Sequence, residues 1–397
     1  MIRKQSRRTL ATCCATHTLH DGLSDVTYVL LPLLAQTFNL SLAQVGLIRS
    51  AHRAAMAAFQ IPAGLVAERF GERNLLALGT LVAGLAFLAL GYAPGFWAIL
   101  VALFFAGLGS AVQHPLCSTV ISHAYPDEGR RMALGTYNFF GDVGKFVFGG
   151  AVSLLLLVGI SWQAPVIGFG LLGTVTAVAI FFFVANTRDG KLTTGQIKPA
   201  AKAAGWGIRS PQGFTALCLI EILDSSTRTG FLTFIAFLLI AKGLPEGWAA
   251  LSVPLILVGG MAGKLACGLL AERFGIIRSI VITELATGAG VLLTLVLPWF
   301  ATFLLLPLIG VVLQGTSSVL YATIGDLVDK ERLPRAFGLF YTLGSICGIA
   351  APLGYGLVGD VLGVGNAIAI IGLAVLATLP LALMLRPAID ETRPVSI

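Results

Sequence analysis

Long apolar runs separated by short polar breaks fill the chain from residue 10 to residue 386. Twelve runs can be counted, at 10–36, 43–66, 75–92, 96–123, 132–158, 162–185, 211–241, 247–270, 279–298, 301–325, 336–359 and 364–386. Each is long enough to cross a bilayer as a helix, since about 20 residues at a rise of about 1.5 Å span a hydrocarbon core of roughly 30 Å. A helix satisfies its own backbone in hydrocarbon, so twelve spanning helices are the expected architecture. A polar stretch at 186–210, with Arg188, Lys191, Lys198, Lys202 and Arg209, divides the runs six and six. It reads as a linker. The expected organisation is therefore a six-helix half over 1–185, a linker over 186–210 and a second half over 211–397.

The two halves are related. Ala67-Glu68-Arg69-Phe70-Gly71 recurs unchanged as Ala271-Glu272-Arg273-Phe274-Gly275, an offset of 204 residues. The same offset carries Pro94 to Pro298, Arg131 to Arg335, Tyr137 to Tyr341 and Gly144 to Gly348. A half-length repeat of apolar spans is the trace of a transporter that rocks one half against the other.

Composition agrees with this picture. Charged residues make up 11% of the chain and hydrophobic ones 56%, with a mean hydropathy of +0.89, whereas a soluble domain carries roughly 25% charged residues. A soluble enzyme is excluded. Of the 26 Lys and Arg, twenty fall on the termini, the linker and the loops of one side, five lie within spans, and the opposite side has Lys242 alone. The positive-inside rule then places both termini and the linker in the cytoplasm of a cell (inner) membrane protein. That bias accounts for the net charge of +7, so nucleic acid is not an expected partner. The six cysteines lie in apolar runs without C-x-x-C spacing and read as small hydrophobes, with no disulfide framework and no zinc site. The basic N-terminus lacks a short apolar region with an A-x-A-like cleavage site, so the first helix is expected to be retained.

The motif Gly64-x-x-x-Glu68-Arg69-x-Gly71-x-Arg73 follows the second span, and a second copy with Gly268, Glu272, Arg273 and Gly275 follows the eighth. On these residues the chain resembles the major facilitator superfamily. The resemblance implies an all-α integral membrane protein with twelve transmembrane helices in two pseudo-symmetric six-helix bundles. His17-x-x-x-Asp21, Pro32-Leu33-Leu34 and Gly109-Ser110-x-Val112-x-His114-Pro115 resemble, more narrowly, the fosmidomycin resistance protein group. The glycines of the loop motif permit a tight turn, and its acid and base can pair with helix ends of the other half when an inner gate closes. The alternative is that these charges only flank a helix end and set topology. Many exporters of the superfamily carry a Gly-Pro pair late in the fifth helix; this chain has Gly141, Gly144, Gly149 and Gly150 there and no proline, which weakens an inference to antiport.

Eleven formal charges lie inside expected spans: Asp21, Asp25, Arg49, Arg53, Asp142, Lys145, Glu221, Asp224, Arg228, Lys264 and Glu284. Each would cost about 2.5–3.5 kcal/mol facing lipid at a helix centre, so they are expected to face a watery cavity or one another. Spacing groups them. His17, Asp21, Ser24 and Tyr28 share a stripe, as do Arg49, Arg53, Met56 and Gln60 with His52 beside them. Asn138, Asp142 and Lys145 line the fifth span, and Glu221, Asp224 and Arg228 the seventh. The resemblance implies that all but Glu284 lie on cavity-lining helices; Glu284 reads as a structural partner near the cytoplasmic gate. Asp21, Asp25, Asp142 and His114 are the candidates for proton coupling, because desolvation and nearby cations move the pKa of such groups. Candidates for substrate contact are His17, Arg49, His52, Arg53, Asn138, Lys145, Glu221, Asp224, Arg228, Lys264 and Tyr341.

The resemblance would put neutral residues at 49, 53 and 145, so three added cations point to an organic anion or zwitterion. The competing reading is that they only neutralise the buried acids. Gly263-Lys264 lacks the Ser or Thr of a phosphate loop, and neither H-E-x-x-H nor G-x-S-x-G occurs. The expected function is secondary active transport by alternating access, without cofactor and driven by the proton gradient, as efflux. Uptake of an organic anion is the alternative, as is a metal-ion or metal-chelate carrier built on His17, His20, Asp21, Asp25 and His114. The expected partners are a small-molecule substrate, protons and the bilayer, with the chain working as a monomer.

Overall fold

A computed structural model describes residues 2–125, 129–184, 206–329 and 332–390. The elements are α1 (Ile2–Phe38), α2 (Leu42–Phe70), α3 (Glu72–Gly91), α4 (Phe96–Ser110), α5 (Gln113–Ala124), α6 (Arg130–Leu157) and α7 (Gln163–Phe183), then α8 (Pro211–Ala241), α9 (Glu246–Ala249), α10 (Ser252–Phe274), α11 (Ile276–Val296), α12 (Trp299–Leu327), α13 (Leu333–Leu362), α14 (Val364–Leu376) and α15 (Thr378–Asp390). Most of the linker expected at 186–210 lies outside the described residues.

Fifteen helices correspond to twelve spans because three spans are broken, each four residues before a proline. Pro115 cannot donate to the Ala111 carbonyl, Pro254 cannot donate to Ala250, and Pro380 cannot donate to Leu376. The breaks fall at those places, between α4 and α5, α9 and α10, and α14 and α15. Ten spans are apolar enough to be recognised by hydropathy alone. The other two are α1 and α2, 37 and 29 residues long, and these carry His17, Asp21, Asp25, Arg49 and Arg53.

Packing among the described residues separates two compact units. Unit 1 holds α1–α7 together with Glu246–Pro254; unit 2 holds α8, α10 from Leu255 onward, and α11–α15. Within unit 1, Gly144 lets α6 lie directly against α1, since a Cβ there would fall on the Thr18 carbonyl. This close approach brings the polar faces of α1 and α6 together. Within unit 2, Arg209 at the end of the linker bonds to Asp329 at 3.0 Å, beside a single bridge between Ile208 and Val328.

The repeated pentapeptide folds the same way twice. Gly71 has φ 84° and ψ 144°, and Gly275 has φ 86° and ψ 159°. Each glycine donates its N–H to the alanine four residues back, Ala67 or Ala271, and accepts from the residue four ahead, Leu75 or Ser279. One residue thus caps two consecutive helices in a backbone conformation that favours glycine.

Candidate functional site: a carboxylate hub in unit 1 and an acidic cluster in unit 2

Asp21 is the centre of the unit 1 site. Its Oδ2 lies 3.2 Å from His17 Nε2, one turn earlier on α1, and 3.2 Å from Lys145 Nζ on α6. Its Oδ1 lies 3.4 Å from Nε2 of His114, next to the break that Pro115 imposes on the α4–α5 span. Lys145 also bonds to Asp142 Oδ1 at 3.0 Å, so one ammonium bridges two carboxylates. Gly141 makes room for the hub, because a Cβ there would press on both His17 and Asp21. The His114 side chain is 41% exposed and that of Lys145 is 27% exposed, so the hub is open on their side.

The His17 ring is oriented from behind. It stacks on Tyr137 at 4.1 Å, and its Nδ1 faces the Tyr137 carbonyl at 2.8 Å. A carbonyl only accepts, so Nδ1 carries a proton there. A hydrogen bond between Nε2 and Asp21 then requires one further proton, on either the ring or the carboxylate. Tyr137 in turn accepts from Gln113 Nε2 at 2.6 Å.

Other expected site residues divide by accessibility. Arg49 is fully buried and held by α1: it donates to the Ser24 carbonyl (2.8 Å) and Thr27 Oγ1 (2.6 Å), pairs with Asp25 at 3.4 Å and lies 3.7 Å over the Tyr28 ring. The doubly positive face expected of Arg49 and Arg53 is therefore divided, since Arg53 one turn on is half-buried with an unpartnered Nε. His52 is buried with both ring nitrogens unpartnered. Asn138 and Lys264 are exposed, and the Lys264 carbonyl accepts from Ser318.

Unit 2 has a different chemistry. Glu221, Asp224 and Glu284 are buried, and both oxygens of Glu221 and of Glu284 are without a hydrogen-bond partner. Arg228 reaches Asp224 at 3.7 Å, the i, i+4 pair expected on α8. Glu284, expected as a structural partner near the cytoplasmic gate, is buried on α11. Its signal lay in the repeat, since the offset of 204 that relates the motifs also relates Thr80 to Glu284 and His20 to Asp224. Tyr341 is 57% exposed and stacks on Tyr321 at 4.9 Å, giving an aromatic platform on this unit.

Of the loop residues, Arg69, Glu272 and Arg273 are exposed and make no ion pair among the described residues; Arg73 lies 4.7 Å over the Phe181 ring. Gly64 lies within α2, and the Glu68 side chain lies outside the described residues. Gly268 sits in α10 with open space where a side chain would go.

His17, Asp21 and His114 offer ligand atoms within 4.8 Å of one another, close enough for a metal ion. The rest of the metal-ligand set is turned elsewhere, His20 to Ser110 and Thr80, Asp25 to Arg49. The Lys145 ammonium occupies the position on Asp21 that a cation would take.

Comparison with known proteins agrees with the fold. The Major Facilitator Superfamily model matches residues 14–352, and the chain belongs to that family. It is a membrane transporter, not an enzyme, and membership carries no cofactor requirement. It is 25% identical over 82% of its length to the "Probable sulfoacetate transporter SauU" of Cupriavidus necator, covering 80% of that protein. It is 26% identical over 91% of its length to the hexuronate transporter of Bacillus subtilis, covering 90% of it. Among solved structures, a bacterial homologue of the human lysosomal transporter Spinster, inward-facing and unoccupied, superposes with a TM-score of 0.77. That likeness covers 99% of both chains at 16% identity, and it shows the fold alone.

Proposed function

We propose that the chain carries a small organic anion across the membrane by alternating access, coupled to protons through Asp21. The observation that carries this reading is the hub itself: one carboxylate with three basic partners, one of which, Lys145, is shared with Asp142. An incoming anion competes with Asp21 for Lys145 and His114, and Arg53 supplies a cation nearby with an unpartnered Nε. When Lys145 turns to the anion, Asp21 is left in a dry site and takes a proton, because an unpaired buried charge costs several kcal/mol. Substrate and proton thus load together, the anion on Lys145 and the proton on Asp21. The named relatives support the anion class, since sulfoacetate and hexuronates are organic anions.

Efflux is the direction implied by the likeness to the fosmidomycin resistance group; the joint loading of anion and proton on the hub favours the alternative, proton-coupled uptake. Both termini and the linker at 186–210 are proposed to be cytoplasmic, on the charge bias, and the two copies of the loop motif are proposed to gate that side.

Purified protein in liposomes, assayed with radiolabelled sulfoacetate and glucuronate under a pH gradient of either sign, tests the reading. Asp21→Asn should abolish gradient-driven transport and leave substrate exchange, which needs no net proton release. Equal loss of both activities, or normal driven transport, removes Asp21 from coupling. Arg53→Lys should weaken anion binding and Arg53→Gln weaken it further, about tenfold or more, as a charge-assisted bidentate contact is lost.

A further inference from the structure

A groove of about 570 Å³ runs along unit 1, away from the Asp21 hub, with walls from α1, α6 and α7. On α1 it follows one helical stripe from Arg7 to Leu19. Twelve residues at about 1.5 Å each give it a length of roughly 18 Å, close to the roughly 15 Å depth of one hydrocarbon leaflet. The far end is closed by Phe148, whose ring packs at a tilt against Phe169, 4.4 Å between centroids, over Gly22.

The chemistry of the walls is one-sided. Three threonines line the groove, and each hydroxyl already donates to a backbone carbonyl: Thr18 to Cys14 or Phe140, Thr136 to Met132, Thr176 to Leu172. Their hydroxyl protons are taken within the protein, so they ask for no acceptor from an occupant. Among the described residues the charge at the groove is Arg7, exposed at its mouth and without a carboxylate partner. A long apolar slot with a single cation at one end suits a long apolar chain with a single anion at one end.

We propose that this groove holds an acyl chain of an anionic phospholipid from the leaflet facing the N-terminal end of α1, with the lipid phosphate on Arg7. A zwitterionic lipid offers the same chain, but its own ammonium offsets the contact with the guanidinium. One cation at an anionic lipid surface corresponds to about a five-fold preference.

Native mass spectrometry of the full chain, released from detergent after titration with phosphatidylglycerol or phosphatidylcholine of identical chains, tests this without reference to transport. The parent should retain phosphatidylglycerol about five-fold more than phosphatidylcholine. Arg7→Gln should bring phosphatidylglycerol down to the phosphatidylcholine level, and Ala15→Phe, which fills the slot from an exposed position on α1, should lower both. Ala11→Phe replaces Ala15→Phe should that variant fail to stay monodisperse. Equal retention of the two lipids by the parent, parental selectivity in Arg7→Gln, or undiminished retention in a slot-filling variant overturns the proposal.

Discussion

His20 in unit 1 and Asp224 in unit 2 stand at the same place in the repeat, as do Thr80 and Glu284. In unit 1 the place is neutral and closed: His20 bonds Thr80 Oγ1 at 2.9 Å and Ser110 Oγ at 3.0 Å, so both ring nitrogens have partners. In unit 2 the equivalent positions on α8 and α11 are both carboxyls, with a third, Glu221, one turn back on α8, and all three are buried. The cation described there is Arg228, 3.7 Å from Asp224. One backbone arrangement therefore supports a packing contact in one unit and stored charge in the other. A satisfied buried polar group costs little, while an unsatisfied one carries its full desolvation penalty. Neutral packing explains the unit 1 trio; the acids of unit 2 are kept at a cost to stability, which points to use rather than support.

The largest effect should come from removing the cation. Arg228→Gln leaves three buried carboxyls without their counter-charge and should cost about 3–5 kcal/mol. In a thermal-shift assay on detergent-purified protein this reads as a fall of roughly 10 °C, taking about 2–4 °C per kcal/mol for a body of this size. A parental Tm would mean that Arg228 does not balance the cluster.

Matched substitutions should then move in opposite directions. Glu284→Met replaces an unpartnered carboxyl by an apolar chain of similar volume and should stabilise by about 1–3 kcal/mol. Thr80→Val, at the equivalent place in unit 1, removes a partner of His20 and should destabilise by about 1–3 kcal/mol. A lower Tm for Glu284→Met would show that the carboxylate has a partner worth keeping, and the contrast between the units would fail.

How much of this was legible along the chain depends on distance in sequence. The spans could be counted because each is a local apolar run, α1 and α2 included although their charges lower their hydropathy. The three breaks each lie four residues before a proline, but Pro32, Pro62, Pro307, Pro352 and Pro387 lie inside unbroken helices, so a proline alone does not mark where a span breaks. His17–Asp21 and Asp224–Arg228 were readable locally, as one-turn pairs. Lys145 on Asp21 joins positions on different helices, and composition gives no hint of which of several acids a cation will choose. Arg49 and Arg53 looked alike, with the same spacing and no acid on their own helix, but α1 offers two oxygens, a carboxylate and a tyrosine ring to one of them. Only tertiary packing separates them. Glu284 was legible in principle: carrying the offset of 204 past the motif would have set it against Thr80 and Asp224 against His20.

The smallest effect tests the part of the comparison in which the units agree. Gly71 and Gly275 adopt nearly the same positive φ, at 84° and 86°, with ψ at 144° and 159°, and each joins two helices. A Cβ is strained in that conformation whatever space surrounds it, so Gly71→Ala and Gly275→Ala should each destabilise by about 1 kcal/mol, and by equal amounts. Gly268, in the same motif but inside α10 with open space around it, is the control. Gly268→Ala should leave stability unchanged or raise it by up to about 1 kcal/mol, because alanine loses less backbone entropy in a helix. If the two turn variants differ by more than the spread of repeat melts, the shared pentapeptide sets only the shape of the turn, and the surroundings of each unit set its strain.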